Sequence, residues 1–378
     1  MNRIASDTQD ANVKLFAGLY NQLAGRTAET DDMVIRSFEP KEHYAAPKYP
    51  IVLCHGLSGF DKLILFPSVY QLTKLIANSI RGNNSELFME NDGAHNDESE
   101  RALLEVDYWI GVKQALESKG CTVITAKVPG FGSIEERAKV LNAFIEKETG
   151  KLKDSAVKQE VYNSERASTT DGFAKQESVK VNLIAHSMGG LDCRYLISKI
   201  PNKNYEVMSL TTVSTPHRGS EMADFVVGLF EDLKRELPGE HATVLLPPAF
   251  YQLTTNYMKY FNQVTPNDPK VAYFSYGSYF EPKWYNVFYM SWKIIYGSSS
   301  GSANDGMVSV ASSRWGEYLG SLQNTDHLDI INWKNKLQKE LASTLGAVTE
   351  TGKEQVKPEI DVLEFYLNIA DGLARRGF

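Results

Sequence analysis

Residues 183–191 read LIAHSMGGL: an apolar run ends at a His-Ser pair and small residues follow at once. The preceding VKVNLI is typical of a buried strand, and the following GGLDCRYLISKI is typical of a helix. A serine between such elements lies in a very tight turn, which small residues two positions before and after it make possible. The run Ala185-His186-Ser187-Met188-Gly189 has this pattern, with alanine in the first small position. We therefore predict that Ser187 is a nucleophile presented at a strand end, the alternative being an ordinary turn.

Strand-like and helix-like segments alternate on both sides of this turn. The strand-like segments are YPIVLC (49–54), CTVITAKV (121–128), VKVNLIA (179–185) and MSLTTVS (208–214). Helical periodicity is found in VYQLTKLIANSI (69–80), in SIEERAKVLNAFIEKE (133–148) and from Gly189 onward. Continuous apolar strands separated by helices indicate a parallel sheet covered on both faces, so the predicted class is α/β, doubly wound.

The same pattern divides the chain into regions. We expect an N-terminal extension over 1–45, one main domain over 46–345 and a C-terminal covering helix within 346–378. Two polar stretches, 82–100 and 148–178, have the composition of solvated loop insertions. Residues 221–264 interrupt the alternation with apolar and aromatic residues at helical spacing, which predicts a helical cap, or lid, over the sheet edge.

Composition excludes several classes of protein. The 378 residues carry a formal net charge of −7 and no dense basic stripe, which argues against a nucleic-acid partner. The three cysteines are scattered through apolar segments, which is typical of buried thiols in a reducing, intracellular setting. The N-terminus lacks the apolar core of a secretory signal, and no apolar run reaches the roughly 18 residues of a membrane span. We expect a protein that is not secreted and has no transmembrane segment; the sequence leaves its oligomeric state open.

A serine hydroxyl needs a base to become a nucleophile, and in folds with this elbow the acid and the base follow the serine along the chain. Three histidines follow Ser187: His217, His241 and His327. We predict His327, in the polar stretch NTDHLDIINW, as the base. The rival His217 comes directly after a strand, but only thirty residues separate it from Ser187, so no acid can precede it in the required order.

We predict Asp305, in GSANDGMVSV, as the acid. The Asn-Asp-Gly turn can project one carboxylate, with MVSV returning as an extended piece. Asp268 is expected to cap its own turn, and Asp326 is a sequence neighbour of His327 that would orient its ring poorly. Asp305 would accept the Nδ1 proton of His327 and leave Nε2 free to take the proton of Ser187.

The developing oxyanion needs donors that are in place before the reaction. The backbone N–H of Met188, the residue after the nucleophile, is one candidate. The stretch IVLCHGLSG (51–59) is a strand followed by His-Gly-Leu, so the N–H of Leu57 is the second candidate. The alternative for this stretch is a plain glycine turn.

Several of these motifs resemble those of the bacterial-type triacylglycerol lipases of the α/β-hydrolase superfamily. They are YPIVLCHGLSG, VNLIAHSMGGLDCRY, VSTPHRGSEMADFV, NDGMVSV and HLDIINW, which appear in the family's order over about residues 49–334. The resemblance implies an α/β-hydrolase fold with Ser187, Asp305 and His327 as the triad. It also implies Leu57 and Met188 as oxyanion donors, and a mobile lid after Glu221.

The resemblance further implies ester hydrolysis of acylglycerols at a lipid-water interface or membrane surface, and a mitochondrial location. No organic cofactor is expected. A structural calcium ion, which the bacterial members use, has one candidate ligand in Asp329. Where those members have a glutamine four residues later, this chain has Trp333, and 270–300 contains no aspartate. A hard cation needs several oxygen ligands, so we predict no metal site, with calcium at Asp329 as the alternative.

Other functions remain compatible with the same residues. An acyltransferase or a phospholipase could use the same triad, with another acceptor or another lipid ester. A non-catalytic, hydrolase-like interaction protein is the alternative from a different class, which the intact set of Ser, His and Asp disfavours.

Overall fold

The computed structural model describes residues 33–57, 108–164, 178–235, 246–283, 286–333 and 360–378, with backbone only for 155–164 and 233. Its seven strands are β1 (Val34–Ile35), β2 (Ile51–Cys54), β3 (Val123–Thr125), β4 (Val179–His186), β5 (Tyr205–Val213), β6 (Ala272–Tyr279) and β7 (Glu317–Gln323). They form one sheet in the order β1-β7-β6-β5-β4-β2-β3. Every neighbouring pair is parallel, which confirms the predicted α/β class.

Helices cover this sheet, and those in the described residues are numbered in chain order. They are α1 (Val112–Ser118), α2 (Ile134–Ser164), α3 (Gly189–Lys199), α4 (Glu221–Arg235), α5 (Pro248–Gln252), α6 (Thr255–Val264), α7 (Tyr289–Ser298), α8 (Val310–Ser313) and α9 (Val362–Arg375). A short 3₁₀ helix spans Asp329–Ile331. No helix among these residues is long and apolar enough to cross a bilayer.

The central strands are buried on both faces, because helices pack on each side. All four residues of β2 and the last six of β4 are buried. One apolar cluster lies between the sheet and α2 with α3, and a larger one lies between the sheet and α1 with α9. This arrangement explains why these strands read as continuous apolar runs rather than as alternating ones.

The register of the central strands sets the position of the site. Cys54, the last residue of β2, pairs with Ala185 of β4, and His186 pairs with Val213 of β5. The strands are parallel, so the loops that follow them leave the sheet at the same edge. The stretch after β2 therefore lies directly beside Ser187.

Two predicted boundaries differ from the structure. The expected extension over 1–45 contains β1, which pairs with β7, so part of it belongs to the sheet. The expected loop insertion over 148–178 begins as helix, because α2 continues to Ser164. Its Lys, Glu and Ala residues are good helix formers, and Lys151 pairs with Glu148 one turn away at 2.6 Å. The predicted insertion over 82–100 and the predicted helix over 69–80 lie outside the described residues.

The predicted C-terminal helix is part of the core. In α9, Phe365 and Tyr366 are fully buried in the cluster that also holds Trp109 of the segment before α1. The carboxylate of Asp371, 1% exposed, accepts hydrogen bonds from Lys41 Nζ at 2.7 Å and from the backbone N–H of Ala45 at 3.0 Å. These bonds join the segment before β2 to the last helix.

Candidate active site

Ser187 lies in the turn between β4 and α3, in a backbone conformation that is rare for a residue with a side chain. Its φ is 55°, in the left-handed region, and its N–H donates to the carbonyl of Val213 at 3.0 Å. A non-glycine residue in this region costs of order 1–3 kcal/mol, which the surrounding packing must offset. Packing by the surrounding residues, rather than the intrinsic backbone preference of serine, therefore maintains this turn.

Packing around the turn leaves no room for larger residues at its small positions. A Cβ atom on Gly189, the first residue of α3, would lie 2.5 Å from the carbonyl oxygen of His55 and 2.7 Å from that of Cys54. A Cβ atom on Gly56 would lie 2.7 Å from the Cβ of Ser187. Glycine at these two positions lets α3 and the loop after β2 close around the serine.

A continuous chain of hydrogen bonds connects Ser187, His327 and Asp305. The distance from Ser187 Oγ to His327 Nε2 is 3.0 Å, and that from His327 Nδ1 to Asp305 Oδ2 is 2.8 Å. The buried carboxylate can only accept, so Nδ1 carries the proton and Nε2 accepts from the serine hydroxyl. His327 is 8% exposed and Asp305 is fully buried. The arrangement can remove a proton from the serine hydroxyl.

Four donors hold the carboxylate of Asp305. Its Oδ1 accepts from the backbone N–H groups of Met307 and Val308, at 2.9 and 2.8 Å. Its Oδ2 accepts from Ser278 Oγ at 3.1 Å as well as from His327.

The predicted turn at Asp305 is present, but the segment MVSV after it does not return as a strand. One isolated bridge joins Asn304 to Ser309, and α8 starts at Val310. The early chain reversal brings the two N–H groups onto the carboxylate.

Both candidate oxyanion donors lie beside Ser187. Met188 is the N-terminal cap of α3, where backbone N–H groups have no carbonyl partner within the helix, and its side chain is fully buried. Leu57 follows Gly56 and packs against the apolar cluster that contains Met188. The two backbone segments thus approach the serine from the helix and from the loop after β2.

The other described histidines next to the sheet are buried and held neutral. Burial first, and then the charge of Arg137, lowers the pKa of His55 to about 3. Burial first, and then the charge of Arg194, lowers the pKa of His217, which contacts Arg194 at 3.3 Å and Thr212 at 3.0 Å. The ring nitrogens of His217 thus contact Arg194 and Thr212 rather than Ser187. His241 lies outside the described residues.

Sequence reasoning missed a layer of residues behind the triad. The hydroxyl of Tyr108 accepts the N–H of Gly56 at 2.8 Å and is hydrogen-bonded to His186 Nδ1 at 2.8 Å. The ring of His186 lies 4.5 Å from that of His327, centroid to centroid. Burial first, and then the nearby His327, lowers the pKa of His186, so His186 stays neutral. Tyr108 gave no signal in the sequence, since it follows a long polar stretch.

A second missed feature is the ion pair of Arg137 in α2 with Asp192 in α3. Its Nη2–Oδ2 distance is 2.8 Å, and both side chains are at most 1% exposed. The sequence held a signal for it: Arg137 falls between Ile134 and Leu141, on the face that helical spacing assigns to the core. A charge on such a face needs a buried partner.

The carboxylate of Asp329, the candidate calcium ligand, is hydrogen-bonded within its own turn. Its Oδ2 accepts the N–H of Asp326 at 2.9 Å, and Asp326 Oδ1 accepts the N–H groups of Leu328 and Asp329 at 3.1 and 3.0 Å. The two carboxylates thus cap their own turn. Within the described parts of the chain, no group of three or more His, Cys, Asp or Glu side chains is arranged to hold a metal ion.

Comparison with known proteins identifies the family. The chain is 55% identical over 350 residues to "Triacylglycerol lipase 2" of Saccharomyces cerevisiae, an alignment that covers 93% of this chain and 98% of the relative. The chain belongs to the triacylglycerol lipase family. Residues 155–237, which include the serine turn, match the family described as "Putative serine esterase (DUF676)". The protein is thus a member of a family of serine ester hydrolases.

The chain is also similar to more distant proteins. A "Triacylglycerol lipase" of Pseudarthrobacter phenanthrenivorans is 31% identical over 205 residues, covering 53% of this chain and 43% of the relative. The crystal structure of a metagenomic carboxyl esterase aligns with 96% of this chain and 90% of its own, at a TM-score of 0.51 and 14% identity. At such low sequence identity, the likeness shows the fold alone. It confirms the predicted α/β-hydrolase fold.

Substituting Gly189 tests the close packing of the serine turn. In Gly189→Ala, the new methyl group must displace the carbonyls of Cys54 and His55, so we expect a loss of about 1–3 kcal/mol in the free energy of unfolding. The matched control is Gly372→Ala in α9, where a Cβ atom meets nothing within 4 Å. Urea unfolding should show the control unchanged or stabilised by about 0.5–1 kcal/mol, and equal stability of the two variants would contradict the packing argument.

Proposed function

We propose that the protein hydrolyses carboxylic esters of long-chain acylglycerols with Ser187 as the nucleophile, His327 as the base and Asp305 as the residue that orients it. The observation that carries this proposal is the unbroken hydrogen-bond chain of 3.0 and 2.8 Å from the strained serine to a buried carboxylate. Chymotrypsin-like and α/β-hydrolase enzymes use the same chemical arrangement for acyl transfer.

The reaction proceeds in two halves. Ser187 Oγ attacks the ester carbonyl while its proton moves to His327 Nε2, and the N–H groups of Leu57 and Met188 stabilise the negative oxygen that forms. Collapse of this intermediate transfers the proton from Nε2 to the departing glycerol oxygen and leaves an acyl-serine. A water molecule then gives its proton to Nε2 and attacks the acyl carbonyl. Fatty acid is released and the serine is restored.

The acylglycerol substrate is proposed from the printed names of the relatives and from the apolar surroundings of the site. The relatives in yeast and bacteria are named triacylglycerol lipases. Helices α4, α5 and α6, within 221–264, pack in apolar clusters beside the site; one holds Met188 with Phe261, and the other holds Phe230 with Phe250. Such a cap can shield acyl chains from water.

We also propose that the cap is a lid that opens at a lipid-water interface. Asp224 of α4 accepts from both the N–H and the Oγ1 of Thr255 at 2.8 Å, so α4 and the start of α6 are joined and would move together. The intracellular, mitochondrial location is likewise proposed; Cys54, Cys121 and Cys193 are all free and buried, which suits a reducing compartment.

Removing the nucleophile tests the proposed activity. Ser187→Ala should lower the rate of fatty acid release from emulsified trioctanoylglycerol and from p-nitrophenyl butyrate by about 10⁶-fold, because no acyl-serine can form. The matched control is Ser118→Ala, at the exposed end of α1, which should keep wild-type turnover. Undiminished turnover in Ser187→Ala would rule out this assignment.

Interfacial dependence tests the lid. For tributyrylglycerol, the rate per enzyme molecule should rise sharply as the substrate concentration passes its solubility limit, because a lipid surface stabilises the open form. Soluble p-nitrophenyl acetate provides the comparison, since its rate should follow simple saturation. A smooth curve through the solubility limit would show that the cap does not gate the site.

A further inference from the structure

The buried guanidinium of Arg137 contacts the loop after β2 as well as Asp192. Its Nη2 donates to the carbonyl oxygens of His55 and Gly56, at 3.1 and 2.9 Å. Its Nη1 donates to those of Pro129 and Gly130, at 2.6 and 3.0 Å. Its Nε donates to Asp192 Oδ2 at 2.9 Å. One side chain thus joins the loop after β2, the loop after β3 and the helix that follows the nucleophile.

These contacts fix the peptide bond that carries a proposed oxyanion donor. The carbonyl of Gly56 and the N–H of Leu57 belong to one planar trans peptide, in which the two groups point in opposite directions. Arg137 Nη2 and His55 Nδ1 both donate to that carbonyl, at 2.9 and 3.0 Å. Holding the oxygen on the Arg137 side therefore directs the N–H of Leu57 the opposite way.

The preceding peptide bond is held at both of its ends. The carbonyl of His55 accepts from Arg137, and the N–H of Gly56 donates to the hydroxyl of Tyr108. Glycine has the least restricted backbone of all residues, so without such anchors both peptide planes at Gly56 could rotate. The absence of a side chain, which the packing against Ser187 demands, makes external anchors necessary.

The ion pair is a costly way to obtain stability alone. Burial raises the pKa of Asp192 to about 6, against the opposing effect of Arg137, so the carboxylate is still ionised at neutral pH. Among the described residues, its Oδ1 has no hydrogen-bond partner. Buried ion pairs are often no more stabilising than apolar residues of the same volume. Apolar residues of that volume could not donate hydrogen bonds to the four backbone carbonyl groups that Arg137 contacts.

We propose that Arg137, anchored by Asp192, is a positioning residue that holds the Gly56–Leu57 peptide bond with its N–H directed at the oxyanion of the reaction. This inference rests on the proposed function. Asp192 lies on α3, five residues after the nucleophile. Its contact with Arg137 therefore also fixes the position of the loop after β2 relative to Ser187. The effect belongs to the transition state, since only there does the carbonyl oxygen carry the charge that the N–H stabilises.

The test uses Arg137→Lys in the full-length protein. Lysine keeps the positive charge beside Asp192, but its single ammonium group cannot span the carbonyls that the guanidinium fork reaches. The fraction of competent sites is first counted by titration to completion with a fluorophosphonate. Then kcat and KM for p-nitrophenyl butyrate, and the inhibition constant of butylboronic acid, are measured per titrated site.

We expect kcat per titrated site to fall about 10- to 100-fold, less than or comparable to the loss of a whole oxyanion donor, with KM changed by less than about 3-fold. The inhibition constant of the boronic acid should rise by a similar factor, because its serine adduct is tetrahedral and places an oxygen in the same hole. A merely structural role would lower the number of titrated sites and leave both per-site values unchanged. That result would overturn the proposal.

Two further variants complete the experiment. Lys139→Gln, on an exposed face of α2 two residues away, is the control and should match the wild type in every measurement. If Arg137→Lys folds poorly, the paired substitution Arg137→Met with Asp192→Leu removes both charges together, which avoids an unpaired buried charge. Its per-site kcat and boronic acid affinity should fall in the same way, and unchanged values would again refute the proposal. If wild-type Ser187 itself fails to react with the fluorophosphonate, the proposed function is at fault rather than the role of Arg137.

Discussion

The site depends on one steric constraint, the narrow junction at which β4 turns into α3. Ser187 has a backbone φ of 55° there, and Gly56 and Gly189 leave no space for a methyl group between the helix, the loop after β2 and the serine. The strain is maintained by buried neighbours on all sides, as for other strained residues at functional sites. This closeness presents the hydroxyl at the sheet edge and brings two backbone N–H groups to the same point.

The remaining groups reach this point because the strands are parallel. Asp305 arrives in the connection between β6 and β7, and His327 follows β7, so both come from loops at the carboxyl edge that Ser187 occupies. Their alignment is then fixed by short-range hydrogen bonds. The N–H of His327 donates to the carbonyl of Asp305 at 3.0 Å, in addition to the bond between their side chains. The contact between Asp305 and His327 is thus fixed by the conformation of the loop that carries His327.

The central part of the fold could be predicted from the sequence because its signals are local. An apolar run of β-branched residues before Ser187, and helical periodicity after it, specify β4 and α3 without reference to the rest of the chain. β1 could not be predicted: it has two residues, Val34 and Ile35, and exists only because β7 offers an edge with which to pair. The helical continuation of α2 to Ser164 was missed because charged composition alone does not distinguish a solvated helix from a loop.

The candidate site shows the same division. The order of Ser187, Asp305 and His327 along the chain restricts the choices to a few residues, and the structure brings these three within hydrogen-bonding distance. The supporting residues are different in kind. Tyr108, His186, Arg137 and Asp192 act through tertiary contacts between separate elements, and only the position of Arg137 on an otherwise apolar helix face indicated a buried partner.

The most direct test of this account is to locate the covalent adduct formed with an alkyl fluorophosphonate. The reagent requires both an activated hydroxyl and a site for its phosphoryl oxygen, so it reports the serine, its base and the oxyanion donors together. Peptide mass spectrometry of the labelled protein should place one adduct on Ser187, and His327→Ala should abolish labelling on the same timescale. An adduct on another residue, or labelling of Ser187 that does not depend on His327, would contradict the account.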